Sequence, residues 1–383
     1  MWMSSCCPSL SNEPRNRSDM KQQSRRQFVK SCLYLILSGI SPMVFPWKVA
    51  GRRDESTFQE KGGAAFNSGR VARIDPDFEP PYVGLHRSGE LKKRGQELWA
   101  LMQTCCLCPR QCGINRLSGD RGFCGSAARL EISAHHPHFG EERPLVGRGG
   151  SGTVFFTHCG LRCVFCINWQ ISQGGVGEVQ TVQELADMML HLQKMGCHNI
   201  NVVTPTHYSA HIVLAMDRAA AKGLRLPLVY NTCGWERLEI VKMLDGIVDI
   251  YLPDFKYADG QMAAKYSSEA EDYPEVTKAA LLEMNRQVGV ARPAPDGLMY
   301  RGLMIRHLVM PNGVSGTREV IRWVAEHLPK DTYFNLMSQY RPMYKAHDYP
   351  EIARRVSRKE YADAVRWAKE TGLTNLDIQG MPI

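Results

Sequence analysis

Three cysteines separated by three and two residues constrain this chain more than any other feature of its sequence. Cys159, Cys163 and Cys166 follow directly on a short β-rich run, residues 154–157. Thiols this close in sequence pair poorly as disulfides, because most such pairs have unsuitable Cα separations and Cβ directions. Metal or iron–sulfur ligation explains the pattern better, with a structural zinc site or buried free thiols as alternatives. A [4Fe–4S] cluster takes four ligands when fully coordinated, so three thiolates would leave one iron open.

A second group of spaced thiols lies upstream of the first. Its members are Cys105, Cys108, Cys112 and Cys124. Four thiolates could close a second [4Fe–4S] cluster for electron relay or a tetrahedral zinc site, and plain free thiols are the third interpretation. Pro109 and Gly113 favour a tight loop that wraps an ion. The sequence therefore predicts a metal centre here and leaves the metal open.

The rest of the chain has the pattern of an α/β protein. Of its 383 residues, 44% are hydrophobic and 22% are charged, which is enough for a sizeable buried core. Six β-rich runs alternate with helical patterns and imply parallel βα units. These runs are residues 154–157, 200–203, 228–231, 249–252, 305–310 and 333–337. Six units are fewer than the eight of a closed barrel, so we expect a partial (β/α)6 barrel with its site at the carboxyl ends of the strands.

Four segments follow from this pattern. We expect a leader over residues 1–50, a linker over 51–98, a cysteine-rich metal-binding extension over 99–145 and a core domain over 146–383. Two helices of the core domain have capping boxes at their starts, Thr181 with Glu184 and Ser357 with Glu360.

The leader carries most of the basic charge. Residues 1–53 contain nine Lys or Arg against one Glu and one Asp, whereas the whole chain has a net charge of +8. The folded part is therefore nearly neutral, which argues against nucleic acid binding. Arg25 and Arg26 precede Phe28 and the uncharged residues 31–47, a pattern typical of a twin-arginine export signal or a retained anchor. A basic disordered tail is the alternative.

The cysteine loop, residues 159–166, resembles that of the radical S-adenosylmethionine superfamily, with an aromatic residue, Phe165, before its last cysteine. Further motifs are similar to little-characterised radical proteins related to pyruvate formate-lyase-activating enzyme. They are residues 105–116, 122–125, 150–156, 166–172, 204–207, 251–257, 305–311, 335–342 and 360–361. The likeness covers about residues 95–380.

The resemblance implies a radical S-adenosylmethionine oxidoreductase. Cys159, Cys163 and Cys166 would hold a [4Fe–4S] cluster whose open iron chelates the amino and carboxylate groups of S-adenosylmethionine. One electron, from a donor such as flavodoxin or ferredoxin, would break the C5′–S bond and yield a 5′-deoxyadenosyl radical that abstracts hydrogen. In the activating enzymes the hydrogen comes from a glycine of a partner glycyl-radical enzyme. The protein orients the cofactor and excludes water.

The resemblance also assigns residues to the cofactor. Asn231, Asp254 and Lys256 match positions that contact S-adenosylmethionine in the activating-enzyme group. Asp254 would accept from a ribose hydroxyl or the ammonium, and Lys256 would meet the carboxylate; a plain Asp254–Lys256 ion pair is the alternative. Many relatives carry Gly-Gly-Glu after the second strand, where this chain has Thr204-Pro-Thr-His207 without an acid. Amino-group binding would then fall to backbone carbonyls, Thr204 or His207.

Two further interpretations complete the sequence analysis. His135, His136 and His138 are expected to lie in a polar loop, with metal binding as the alternative. The competing function is a non-catalytic iron–sulfur electron-transfer protein. The leader suggests export or membrane association, whereas S-adenosylmethionine and low-potential reductants suggest the cytoplasm.

Overall fold

The computed structural model describes residues 78–379 of the chain. Within these residues nine strands form one sheet. In chain order they are β1 (Leu130–His138), β2 (Ser151–Phe156), β3 (Glu178–Gln180), β4 (Ile200–Val203), β5 (Leu228–Thr232), β6 (Ile250–Pro253), β7 (Gly302–Leu308), β8 (Tyr333–Met337) and β9 (Leu376–Gln379). Their order across the sheet is β3-β1-β2-β4-β5-β6-β7-β8-β9. Neighbours from β2 to β9 are parallel, and β1 pairs antiparallel with both β2 and β3.

Helices connect the parallel strands. In chain order the α-helices of the described residues are α1 (Pro81–Arg87), α2 (Glu90–Ala100), α3 (Arg143–Val146), α4 (Trp169–Ser172), α5 (Val182–Lys194), α6 (Ser209–Ala221), α7 (Leu238–Met243), α8 (Gly260–Tyr266), α9 (Tyr273–Val288), α10 (Thr317–His327) and α11 (Arg358–Glu370). Both predicted capping boxes are present, because Thr181 and Ser357 accept the backbone N–H groups of Glu184 and Glu360. These reciprocal bonds pair N–H groups that a helix start leaves without an internal partner.

The predicted fold class is confirmed. All six predicted strands exist, as β2 and β4 to β8, and they run parallel to one another. The sheet is open, since β3 and β9 form its edges in the part of the chain that the structure describes. The sequence analysis did not predict β1, β3 or β9. Of these, β3 and β9 are short and only partly buried, so neither has the apolar run of a central strand.

The predicted linker is wrong from residue 81 onward, because α1 and α2 occupy most of that part. Residues 51–77 of the predicted linker lie outside the described residues. Both helices pack on α6 and its neighbourhood. Tyr82 donates its hydroxyl to the Leu226 carbonyl at 2.9 Å, and a Cβ on Gly95 would lie 2.7 Å from Leu214. The close approach at Gly95 shows that one face of α2 is packed against α6. The charged residues of α2 lie mainly on its other face.

The leader, residues 1–50, lies outside the described residues. Its interpretation as an export signal or anchor therefore stays a prediction. Within residues 78–379, no helix combines the length and apolar character needed to cross a membrane.

The inner face of the sheet has its own small core. Leu145 of α3 packs there with Val229, Ile250 and Met304, separately from the larger core that contacts the outer helices. Because α3 follows the end of β1 and bonds to residues just before β4 and β7, it covers the amino ends of the strands. Polar residues occupy the next inward positions along these strands, since side chains alternate between the two faces. They are Asn201, Asn231, Asp254, Arg306 and Asn335.

Candidate metal and cofactor site

The cysteine loop leaves the carboxyl end of β2 in a tight turn. His158 and Arg162 have left-handed φ angles of 69° and 50°, which non-glycine residues seldom adopt. The loop buries Cys163 and leaves Cys159 and Cys166 half-buried. Because the loop follows β2 directly, the three thiols lie at the carboxyl ends of the parallel strands, where β4, β5 and β6 also end.

Each of the three sulfurs has a hydrogen-bonding group beside it. The Ser267 hydroxyl donates to Cys163 Sγ at 3.1 Å, and the Ser172 hydroxyl lies 3.2 Å from Cys166 Sγ. Backbone N–H groups two and three residues further along the loop bond to Cys159 Sγ. Burial raises the pKa of Cys163 to about 12, so without a metal this thiol is protonated near neutral pH.

These sulfurs fit an iron–sulfur cluster by the chemistry of their surroundings. Among residues 78–379, the side chains as they stand form no group of three or more His, Cys, Asp or Glu that could hold a metal ion. In a cluster, however, each thiolate binds a different iron, so its sulfurs surround a wider space than the ligands of a single ion. Hydrogen-bond donors at all three sulfurs are suited to thiolates rather than to apolar free thiols.

A charged network lies next to the loop, at the carboxyl ends of β5, β6 and β7. In this strand-end network Arg306 donates to Asp254 Oδ1 at 2.9 Å and to Asn231 Oδ1 at 2.5 Å. Lys256 donates to the other Asp254 oxygen at 2.5 Å, so the ion pair given as the alternative is present. Burial opposes ionisation of Asp254, but Arg306 and Lys256 hold its pKa below the usual value. The Lys256 charge also interacts with the Cys163 thiol. The structure thus brings Asn231, Asp254 and Lys256 beside the cysteines.

Two carboxylates reach this network from the opposite end of the barrel, and the sequence analysis assigned neither to the site. Glu141 Oε2 lies 3.5 Å from Arg306 Nη1, and Glu142 accepts from the Asn335 amide at 2.7 Å. Burial raises the pKa of Glu141 to about 6, although Arg306 opposes the shift. Both acids belong to the segment just before α3. This segment is distant in sequence from β5 to β8, and only folding places it next to these strands.

Thr204 and His207 have different surroundings. Thr204 is left-handed, with φ of 60°, and its N–H donates to the Asn231 carbonyl at 2.9 Å. It therefore lies at the end of β4 beside the strand-end network. His207 is buried, and its ring bonds to the Thr157 carbonyl at 2.8 Å. Burial lowers the pKa of His207 to about 3. Its ring is thus a neutral hydrogen-bonding group behind the loop.

The fold brings an acid to the end of β4 that the local sequence lacks. Glu236, from the loop after β5, accepts from Thr206 Oγ1 at 2.5 Å and from the Thr232 hydroxyl. The side chain is buried, and its second oxygen has no hydrogen-bond partner. Burial raises the pKa of Glu236 to about 7, since the two hydroxyl groups compensate for it only in part.

Replacing Glu236 with glutamine is expected to stabilise the protein increasingly as the pH rises. A carboxyl group with a raised pKa favours folding while protonated and loses that contribution as the pH rises through its folded value. The stability of wild type should therefore fall between pH 4.5, the ordinary pKa of the carboxyl group, and about pH 7, its pKa in the folded protein. At about 1.4 kcal/mol per unit, E236Q should exceed wild type by about 3 kcal/mol at pH 8. Urea unfolding from pH 5 to pH 8 measures the difference, with E239Q as an exposed control; a constant difference would contradict the assignment.

Three thiols of the upstream group lie together. The thiols of Cys105 and Cys112 hydrogen bond to each other, which lowers the pKa of Cys112 to about 5. A Cβ on Gly122 would lie 3.3 Å from Cys112 Sγ and 3.5 Å from Cys124 Sγ. The buried Arg116 guanidinium lies 3.9 Å from Cys105 Sγ, so a cation faces this group.

The fourth thiol connects the upstream group to the cysteine loop. Cys108 Sγ lies 3.5 Å from the position of a Cβ on Gly160, the residue after the first loop cysteine. Arg110 bridges the two regions, since it donates to the carbonyls of Gly160 and Ser267, each at 3.1 Å. The two cysteine groups are therefore neighbours.

The predicted polar loop around the histidines is wrong. His135, His136 and His138 belong to β1 and pair with residues of β2. Proline lacks the N–H that a strand ladder needs. Pro137 is tolerated in β1 because β3 pairs only with the start of β1, residues 130–132, which leaves one side of β1 open at Pro137.

No family model matches this chain. It is similar to the solved structure of a radical SAM methyltransferase from Sphaerobacter thermophilus, with a TM-score of 0.41 and 14% identity. That match covers 58% of this chain and 66%, slightly less than two thirds, of the methyltransferase chain.

Two relatives from Methanocaldococcus jannaschii match over longer stretches of sequence. The uncharacterised protein MJ0808 is 24% identical over 266 residues, which are 64% of this chain and 73% of MJ0808. The uncharacterised protein MJ0674 is 30% identical over 288 residues, which are 73% of this chain and 77% of MJ0674. With this identity over most of both sequences, the chain belongs to the same protein family as MJ0674.

Proposed function

We propose that this protein is a radical S-adenosylmethionine enzyme. Cys159, Cys163 and Cys166 would hold a [4Fe–4S] cluster through three thiolates. When bound, the cluster and S-adenosylmethionine supply one-electron cleavage to a 5′-deoxyadenosyl radical, which abstracts hydrogen from a substrate. The observation that carries the proposal is the juxtaposition of three donor-supported thiols with the strand-end network at the carboxyl ends of parallel strands.

The residues beside the loop suit the polar groups of S-adenosylmethionine. Lys256 is cationic and interacts with the cysteine thiols, so it can meet the carboxylate. Asp254 remains ionised and can accept from a ribose hydroxyl or the ammonium. Asn231 and the backbone near Thr204 offer further hydrogen-bonding groups at the same strand ends. Arg306 fixes Asp254 and Asn231 relative to each other.

Formation of 5′-deoxyadenosine tests the proposal. The full chain is reconstituted anaerobically with iron and sulfide, reduced with dithionite and incubated with S-adenosylmethionine. We expect 5′-deoxyadenosine from wild type and none from C159A. The matched control is C197A, which removes a buried thiol outside both cysteine groups and should behave as wild type. A fully loaded, reduced cluster that yields no product would favour the alternative, a non-catalytic electron-transfer protein.

We further propose that the hydrogen donor is a glycine Cα of a partner protein, as the activating-enzyme resemblance implies, with a flavodoxin or ferredoxin as electron donor. Deuterium tracing separates this substrate from small molecules. Proteins extracted from cells grown on α,α-dideuteroglycine are incubated with the loaded enzyme and S-adenosylmethionine. Deuterated 5′-deoxyadenosine is expected. Unlabelled product, formed in the same yield as with small metabolites alone, would contradict a glycyl-radical partner.

For the upstream group we propose a second iron–sulfur cluster that relays electrons to the first. The position of Cys108 Sγ, 3.5 Å from where a Cβ on Gly160 would lie, supports the relay, because it makes the two cysteine groups neighbours. Metal analysis of a variant with Cys159, Cys163 and Cys166 all replaced by alanine tests it. Iron and sulfide should remain in this variant and disappear when Cys108 is also replaced. Zinc in their place would refute the relay, and a metal-free protein would refute the centre.

A further inference from the structure

The carboxyl end of α8 and the residues after it hydrogen bond to the cysteine loop. The Val164 N–H donates to the Tyr266 carbonyl at 2.9 Å, and the Ser268 hydroxyl donates to the Arg162 carbonyl at 3.3 Å. Ser267 lies between these two contacts and is fully buried. One backbone bond and one side-chain bond therefore hold Ser267 against the loop, about a hundred residues away in sequence.

The Ser267 hydroxyl is oriented toward a sulfur. A serine hydroxyl has one proton, so it can donate only one hydrogen bond. Its oxygen lies 2.9 Å from the hydroxyl of the buried Tyr257 and 3.1 Å from Cys163 Sγ. Because a thiolate can only accept, the serine proton goes to the sulfur once Cys163 is ionised, and Tyr257 then donates to Ser267. This is a relay of two hydroxyl groups that ends on one cluster ligand.

A second hydroxyl contacts another ligand from a different element. Ser172 is the last residue of α4, is buried, and has its oxygen 3.2 Å from Cys166 Sγ. Its backbone N–H bonds to the Asn168 carbonyl, which fixes the residue in place. As with Ser267, a thiolate at Cys166 makes the serine the donor.

We propose that the hydroxyl groups of Ser172 and Ser267 raise the reduction potential of the cluster by donating hydrogen bonds to its thiolate ligands. The inference rests on the proposed [4Fe–4S] cluster. Reduction adds one electron from an external donor to the cluster and increases the negative charge on its sulfurs. Donors at the sulfurs stabilise this more negative state, and hydrogen bonds to sulfur are among the determinants of cluster potential. Ser172 and Ser267 are thus positioning residues that ease electron entry.

The test is an anaerobic spectroelectrochemical titration of the reconstituted full chain, without S-adenosylmethionine. S267A and S172A should each shift the midpoint potential to more negative values, and the double variant should shift it further. Y257F should give a smaller shift in the same direction, because it releases the serine hydroxyl without removing it. The matched control is S268A, which removes a neighbouring hydroxyl that bonds to a carbonyl and not to sulfur. Its potential should equal that of wild type.

Iron and sulfide analysis separates failure of this inference from failure of the proposed function. If wild type binds no more iron and sulfide than C159A, the cysteine loop holds no cluster and the proposed function itself fails. If wild type and the serine variants carry equal amounts of cluster and their potentials coincide, the tuning role is refuted while the cluster stands. An equal shift in S268A would also refute it, since the effect would then be a general loosening of the α8 end. Because Ser172 and Ser267 belong to different elements, misfolding of one variant leaves the other informative.

Discussion

An Arg306→Met variant is expected to lose about 3–5 kcal/mol of unfolding free energy, the usual cost of removing one partner of a buried ion pair. Arg306 is mostly buried and is the cation shared by Asp254 and Glu141. Without it, Asp254 keeps only Lys256, and Glu141 faces no charge of opposite sign from the strand ends. Methionine fills a similar volume, so the loss reports the charge and its hydrogen bonds rather than a cavity.

The same variant should bind S-adenosylmethionine more weakly if Asp254 and Asn231 contact it. Anaerobic urea unfolding gives the stability, and equilibrium dialysis at equal cluster loading gives the affinity. The control is E141Q, which keeps Arg306 with Asp254 and Asn231 and should change the affinity little. In the D254N/R306M double variant the loss of stability should be less than the sum of the single losses, since the two residues share one interaction. An R306M protein as stable as wild type would contradict the network.

Arg116→Met is expected to loosen residues 102–128, which contain the upstream cysteine group. Arg116 is completely buried and donates to the carbonyls of Ala127 and His207 at 2.7 and 2.8 Å, and to Ser126 Oγ at 3.1 Å. A hydrogen bond from a charged donor contributes about 1.5–3 kcal/mol, so loss of the Arg116 bonds should cost about 4 kcal/mol in total. Hydrogen exchange of residues 102–128 should increase more than that of the strands.

Arg116→Lys serves as the comparison for this variant. Lysine keeps the charge and can reach one carbonyl, but it lacks the planar fork that serves several acceptors together. It should recover part of the stability. Equal hydrogen exchange in all three proteins would show that other contacts hold the extension.

Residues that end a strand could be predicted from the sequence, because parallel strands bring their carboxyl ends to one edge. Asn231, Asp254 and Lys256, which the family resemblance assigned to the cofactor, end such strands and are linked in one network through Arg306. Lys256 also interacts with the Cys163 thiol of the cysteine loop. Arg306 occupies an equivalent place near the end of β7. Its role is not apparent from the sequence, because its partners Asn231, Asp254 and Glu141 lie on three other segments.

Residues that reach the site from other directions could not be predicted. Glu236 accepts a hydrogen bond from Thr206 just after β4, yet no local pattern connects the two residues, which lie thirty positions apart. Ser267 contacts Cys163 across about a hundred residues of sequence. Single serines and glutamates are common on protein surfaces, so burial distinguishes these two, and burial is a property of the assembled fold.

The contacts of the cysteine-rich extension have a consequence for biosynthesis. Arg116 is anchored by a residue 91 positions later, and Arg110 by one 157 positions later. A chain made from its amino terminus exposes Cys105 to Cys124 long before these partners leave the ribosome. The cysteines are therefore translated well before the residues that anchor their segment. Their thiols are open to metal delivery, and to oxidation, until His207 and Ser267 have been translated and folded against them.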